Sequence, residues 1–284
     1  MTAAPARRRH RRPKSVIPGF GITMGLTLTW LGLVVLLPLS ALFIKTSEVS
    51  LERFIAIVTS PRTLHALQIS FGLSLAAAVV NLVFGAIVVW VLVRYDFPFK
   101  KVVDALIDIP FALPTAVAGI ALTALYAPNG WIGALLAPLG IAVSFTPTGI
   151  LIALVFIGLP FVVRTVEPVL ADLDRELEEA AASLGASRPQ ALWRVVLPSI
   201  WPALLTGFAL AFARAVGEYG SVIFIAGNLP GVSEIAPLLI VIRLEEFRYA
   251  DATAIACVML VASFVLLFVI NRLQRWAEQR GAKA

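Results

Sequence analysis

The chain has 284 residues, of which 60% are hydrophobic and only 14% charged, with a mean hydropathy of +0.92. A soluble domain of this size carries far more charge, so the composition indicates a membrane protein. A net charge of +6 would suit a nucleic-acid partner, but Arg7, Arg8, Arg9, Arg11, Arg12 and Lys14 all precede the first apolar run, where membrane orientation signals sit.

A basic start followed by apolar sequence has the outline of a signal peptide. Residues 15–44 carry no charge, however, and exceed an h-region of roughly 7–15 residues. No small-residue cleavage site closes the run. It reads as a retained first span at 17–44 behind a basic tail at 1–16. A spanning helix needs about 20 mostly apolar residues, and the second span is expected at 66–93, ended by Arg94. The uncharged stretch between Asp108 and Arg164 is too long for one span. Turn signals at Pro128-Asn129-Gly130, Pro138 and Pro147-Thr148-Gly149 divide it into a third span at 105–127 and a fourth at 150–163. A fifth follows at 199–228 and a sixth at 252–271, leaving a tail at 274–284. The expected fold class is all-α, a polytopic membrane domain of six transmembrane helices over 17–273.

Lysine and arginine set the orientation. The tail residues fall on one side together with Arg94, Lys100, Lys101, Arg164, Arg175, Arg188, Arg194, Arg272, Arg275, Arg280 and Lys283; only Lys45, Arg53, Arg62, Arg243 and Arg248 fall on the other. Both termini are therefore expected in the cytoplasm. Pro110, Pro114, Pro160 and Pro202 lie in or at spans, where ordinary kinked packing is a simpler reading than a dedicated break in a pathway.

The loop between the fourth and fifth spans carries most information. Leu173, Leu177, Ala180, Ala181 and Leu184 recur at helical spacing, with Asp172, Asp174, Glu176, Glu178 and Glu179 on the other faces. Acidic residues at the start suit the helix dipole. Gly185 stands where a left-handed cap is wanted. Ser187 can cap a second short helix with Pro189 in its first turn, which Leu197-Pro198 is expected to break. By pattern alone this is a solvated amphipathic loop.

The spacing is more specific. Glu179-Ala180-Ala181, three residues, Gly185, nine residues, then Val195-x-Leu197-Pro198 resembles the EAA motif of ABC importer permeases, with Val195 in place of the usual isoleucine. That resemblance implies the type I importer permease fold and a loop, 170–198, that docks on a separate ATPase. Small alanines permit close approach, glycine allows the turn, and an apolar stripe can fill a groove. The stretches 111–119, 128–133, 217–228 and 242–247 are in turn similar to the T-type membrane subunits of sulfate/thiosulfate importers, and the likeness runs over a core of about 60–273. The implied partners are a CysW-type permease, a CysA-type ATPase dimer holding ATP and Mg, a periplasmic sulfate/thiosulfate-binding protein and membrane lipid, in a bacterial inner membrane. The outer loops 128–148 and 229–250 are candidates for contact with the binding protein.

No G-x-x-x-x-G-K-[ST] occurs, so no phosphate-cradling loop is encoded here. The chain is expected to be a channel subunit without catalytic residues or a bound cofactor. His10 and His65 are isolated and Cys257 is the single cysteine, so neither a metal site nor a disulfide is expected. A permease for molybdate or tungstate, or a gradient-driven secondary transporter, are the alternative readings. The second lacks a visible inverted repeat and has no use for an ATPase dock.

Arg214, Glu218, Tyr219 and Ser221 are the candidate pathway residues. With the fifth span at 199–228, Arg214 is expected near its midpoint, roughly 15 Å from either interface, with Glu218 one turn on. The two are either a self-neutralising packing pair or part of the pathway. The acid follows the base, the weaker order for such a pair, which favours the pathway.

Overall fold

The computed structural model describes residues 20–281, and these fold into helices and turns. The chain divides into two units, Met1–Glu48 and Val49–Ala284. Among the described residues the first contains one helix, α1 (Phe20–Ser47). It is apolar on every face, a composition suited to hydrocarbon. A π turn at Gly32–Leu36 lets the Leu37 N–H reach the Gly32 carbonyl just ahead of Pro38.

In the second unit, α2 (Leu51–Val58) is capped by Ser50 and α3 (Pro61–Arg94) by Ser60, with Pro61 in the first turn where no N–H is required. Next come α4 (Lys100–Ile107), a turn at Ile109–Ala112, and α5 (Thr115–Tyr126). The chain continues through α6 (Pro147–Ala171), α7 (Arg175–Ser183) and α8 (Arg188–Val216). A turn at Val222–Ile225 leads to α9 (Ala236–Glu245) and α10 (Tyr249–Gly281).

Helices α3, α6 and α8 pack together as the centre of this unit. The buried positions of α3 include Ala66, Ser70, Ser74, Ala77, Asn81 and Gly85, small residues at helical spacing that admit close neighbours. A Cβ at Gly85 would stand 2.7 Å from Val162 Cγ1 on α6, and one at Gly207 of α8 would stand 2.9 Å from Val162 Cα. Toward the Arg94 end the core is larger: Val89, Val163, Val166, Val196 and Leu204 pack with Trp90 and Leu173. Toward the other end Ile150, Leu154, Ala215, Val222 and Ile225 form a second cluster.

Five helices are long and apolar enough to cross a membrane among the described residues. The expected third span, 105–127, is not a continuous helix. Pro114 lacks an N–H and forces Leu113 into extended backbone (φ −85°, ψ 136°), so the passage divides into α4, one turn, and the twelve-residue α5. The kinked-packing reading therefore fails at Pro114, while Pro160 and Pro202 do lie inside helices. The expected fifth span, 199–228, stops at Val216 and begins earlier, at Arg188. Leu197-Pro198 does not break it. A π turn at Leu192–Val196 directs the Leu197 N–H to the Leu192 carbonyl, and Pro198 enters the α-helical stretch where its missing donor is absorbed. The fourth and sixth spans are longer than expected, and residues 17–19 of the first lie outside the described residues.

Ion pairs join the remaining elements. Arg164 of α6 makes a two-bond contact to Asp108 (2.8 and 2.7 Å) and reaches Asp104 (2.7 Å) and Glu167 (2.6 Å), fixing α4 against α6. Arg62 donates to both oxygens of Glu234 at 2.8 and 2.6 Å, and the Ala236 N–H donates to Ser70 Oγ at 2.8 Å. Together these hold the loop before α9 on the start of α3.

Candidate coupling surface and ion-pair site

The short helix α7 begins at Asp174, whose side chain accepts from the Glu176 N–H at 2.9 Å. It ends in a left-handed turn: Gly185 has φ +86°, with the Gly185 N–H on Ala182 O and the Ala186 N–H on Ala181 O. Nothing lies within 4 Å of where a Cβ at Gly185 would be. Glycine is required there by the backbone angle, not by crowding. Ser187 then opens α8 with a capping box, its N–H donating to Gln190 Oε1 at 2.8 Å.

This helix–glycine–helix places the predicted residues as follows. Glu179 and Ala180 are exposed and Ala181 is half-buried. On the same face Leu177 and, at 89% exposure, Leu184 project outward without apolar cover. Val195 and Leu197 are half-buried, Leu197 against the cluster around Val163, while Pro198 is exposed. The loop therefore presents an open apolar face on one side and is rooted in the bundle by α8 on the other.

The second candidate site differs from expectation. Arg214 sits in the last turn of α8, two residues before its end at Val216, so it is not at a span midpoint. Another ion pair also lies on a spanning helix, Arg164 with Glu167 on α6. The pair does form: Arg214 Nη1 meets Glu218 Oε2 at 2.5 Å. Glu218, 3% exposed, uses its other oxygen to accept from the Ser221 N–H (2.9 Å) and hydroxyl (3.0 Å). The carboxylate is thus satisfied from both sides. The remaining Arg214 N–H groups make no hydrogen bond among the described residues, and its side chain is one-third exposed. Tyr219 packs against the cluster around Ala215 and Val222.

The two chain breaks meet beside this pair. A Cβ at Gly220 would fall 2.2 Å from Thr115 Oγ1, and one at Gly119 would fall 2.3 Å from the Ser221 carbonyl. The interruption at Leu113-Pro114 and the interruption at Gly217–Gly220 are therefore neighbours in space. Backbone freed at membrane depth is tolerated where protein or water can satisfy it.

Sequence reasoning missed two features. Asn81 is 1% exposed in α3 with neither amide atom hydrogen-bonded, and its Nδ2 fills the notch left by Gly158. A lone asparagine in an apolar run was a readable signal. The Arg94–Glu178 ion pair, 2.7 Å long, joins residues too far apart in sequence to be paired from spacing.

This assembly of apolar spans around a protruding helix–glycine–helix defines a membrane component of a transporter. The chain belongs to the family described as "Binding-protein-dependent transport system inner membrane component", which matches residues 82–283. It is 54% identical over 253 residues to the "Sulfate transport system permease protein CysT" of Synechococcus elongatus, covering 89% of this chain and 91% of that one. The protein of the same name from Escherichia coli is 47% identical over 261 residues, covering 92% and 94%. Two solved structures share the fold at 16% identity. A bacterial alginate ABC transporter, in complex with an alginate pentasaccharide-bound periplasmic protein, has a TM-score of 0.75 over 90% of this chain and 93% of that chain. The MetNI methionine ABC transporter, in an inward-facing conformation, has a TM-score of 0.57 over 75% and 95%. The chain is a multi-pass membrane protein of the ABC permease class.

Proposed function

We propose that this chain is one of two membrane subunits of an ATP-driven importer for sulfate or thiosulfate. The observation that carries the reading is the coupling loop, an exposed amphipathic helix ended by the left-handed Gly185 and continuous through α8 with the central bundle. The names of the relatives supply the substrate class. Sulfate is a dianion that hydrocarbon cannot accommodate, so the path must be polar and open to one side at a time. A CysW-type permease completes it, a periplasmic binding protein delivers the anion, and a CysA-type ATPase dimer holding ATP and Mg closes beneath the coupling loops. Glu179, Ala180, Ala181 and Gly185 meet the ATPase, and Val195, Leu197 and Pro198 pass its movement into α8. Arg214, held by a Glu218 that Ser221 fixes in turn, has N–H groups to spare and lines the path, with Tyr219 packed on the neighbouring cluster.

The protein sits in the bacterial inner membrane with both termini in the cytoplasm, which requires the α4–α5 passage to cross once. A reporter active only in the periplasm should report activity when fused after Asn129 or Glu234, and none when fused after Gly185 or Gln279. The opposite pattern at either pair would overturn this topology.

A strain lacking the chain should lose uptake of labelled sulfate and recover it on complementation. Unchanged sulfate uptake together with lost molybdate or tungstate uptake would reassign the substrate. Uptake that survives ATP depletion but collapses with the ion gradient would instead make it a secondary transporter.

A further inference from the structure

We propose that Arg94 is a positioning residue for energy coupling, tying α7 to the end of α3 so that movement of the coupling helix reaches the centre of the bundle directly. The proposal rests on the coupling role given to this loop above, and deepens it. Arg94 is the last residue of α3, and its side chain is only 8% exposed. Its Nη2 lies 2.7 Å from Glu178 Oε1 in the first half of α7 and donates at 3.3 Å to the carbonyl of Leu173, just before that helix begins. The guanidinium carbon stands 5.8 Å from the centre of the Trp90 ring, one turn back on α3. One side chain thus holds α7 and the residue leading into it, and is braced on its own helix.

Packing does not make this connection. Helix α7 rests chiefly on the first turns of α8, its neighbour in sequence across the Gly185 turn. Between α7 and the end of α3 lies a cavity of about 410 Å³, bordered by Trp90, Tyr95, Ala182 and Leu192 and by Arg94 and Glu178 themselves. Without the pair, movement of α7 would reach α3 only by way of α8 and the covalent link back to α6. Stability does not explain it either. A buried ion pair adds little over apolar packing, and here Arg94 Nε is buried with no acceptor, while the contact with Glu178 is ionic and not a directed hydrogen bond. What such a pair secures is position. Orientation of the span does not depend on Arg94 alone, because Lys100 and Lys101 follow it.

The test is a double-mutant cycle in the complete importer, reconstituted in vesicles with its ATPase and binding protein and supplied with labelled sulfate. Arg94→Gln and Glu178→Gln should each leave the ATPase bound and hydrolysing while sulfate moved per ATP falls about tenfold. The double variant should be no worse than either single one, because both remove one link. A wild-type transport ratio in the single variants, or losses that multiply in the double, would overturn the proposal. ATPase release from Glu178→Gln would assign that residue to docking and overturn it as well. A wild-type complex that moves no sulfate with ATP would overturn the underlying coupling reading and this proposal with it.

Discussion

Replacing Gly185 with valine should abolish uptake in a protein that still inserts into the membrane. The turn needs φ +86° at this position. A residue with a branched Cβ loses about 1–2 kcal/mol in that conformation, and relieving it moves α7 relative to Ser187 and α8. No neighbour would clash with the new side chain, since the space around Gly185 is open. The defect should therefore be one of backbone angle, and asparagine, which tolerates the left-handed region better, should keep more activity than valine. The partner ATPase should detach or hydrolyse ATP without transport. Wild-type uptake by Gly185→Val would remove the coupling assignment.

That prediction rests on a stretch the sequence made legible. Capping residues and a turn glycine act locally, so Gly185 and Ser187 could be placed by spacing and the structure has them in those roles, while Asp174, read only as part of the acidic start, is the cap of α7. Hydropathy located the apolar runs for a similar reason, because the membrane is a uniform solvent and length decides. Three breaks were misread: Pro198 looked like a stop and is absorbed by a π turn, Pro114 looked like a kink and divides its span, and α8 ends at Val216, twelve residues before Asn228. Hydropathy cannot see these, since all depend on where backbone hydrogen bonds go. Glu178 as partner of Arg94, Asp104 and Asp108 as partners of Arg164, and Glu234 as partner of Arg62 were illegible because each is distant in sequence.

Arg214→Met should abolish sulfate uptake while the complex still assembles and its ATPase still binds ATP. Arg214 is no longer a charge stranded at a span midpoint; it closes α8 beside two apposed chain breaks. Glu218 is fully engaged by Arg214 and Ser221, whereas Arg214 spends one N–H on it and remains one-third exposed. A guanidinium with donors to spare, at the joint between α5 and the Val222–Ile225 turn, can contact a passing oxyanion or the companion permease. Should Arg214→Met fail to assemble, and Arg214→Met/Glu218→Met restore both assembly and uptake, the pair is a packing device and the pathway reading is wrong.

The central claim is that this chain supplies a sulfate path opened by a separate ATPase through the coupling loop. The most direct measurement is labelled sulfate entering vesicles that contain this chain with its companion permease, ATPase and binding protein. Entry should require ATP on the ATPase side and binding protein on the other, and should cease with Gly185→Val. Entry without ATP, or ATP-driven entry unaffected by Gly185→Val, would contradict it.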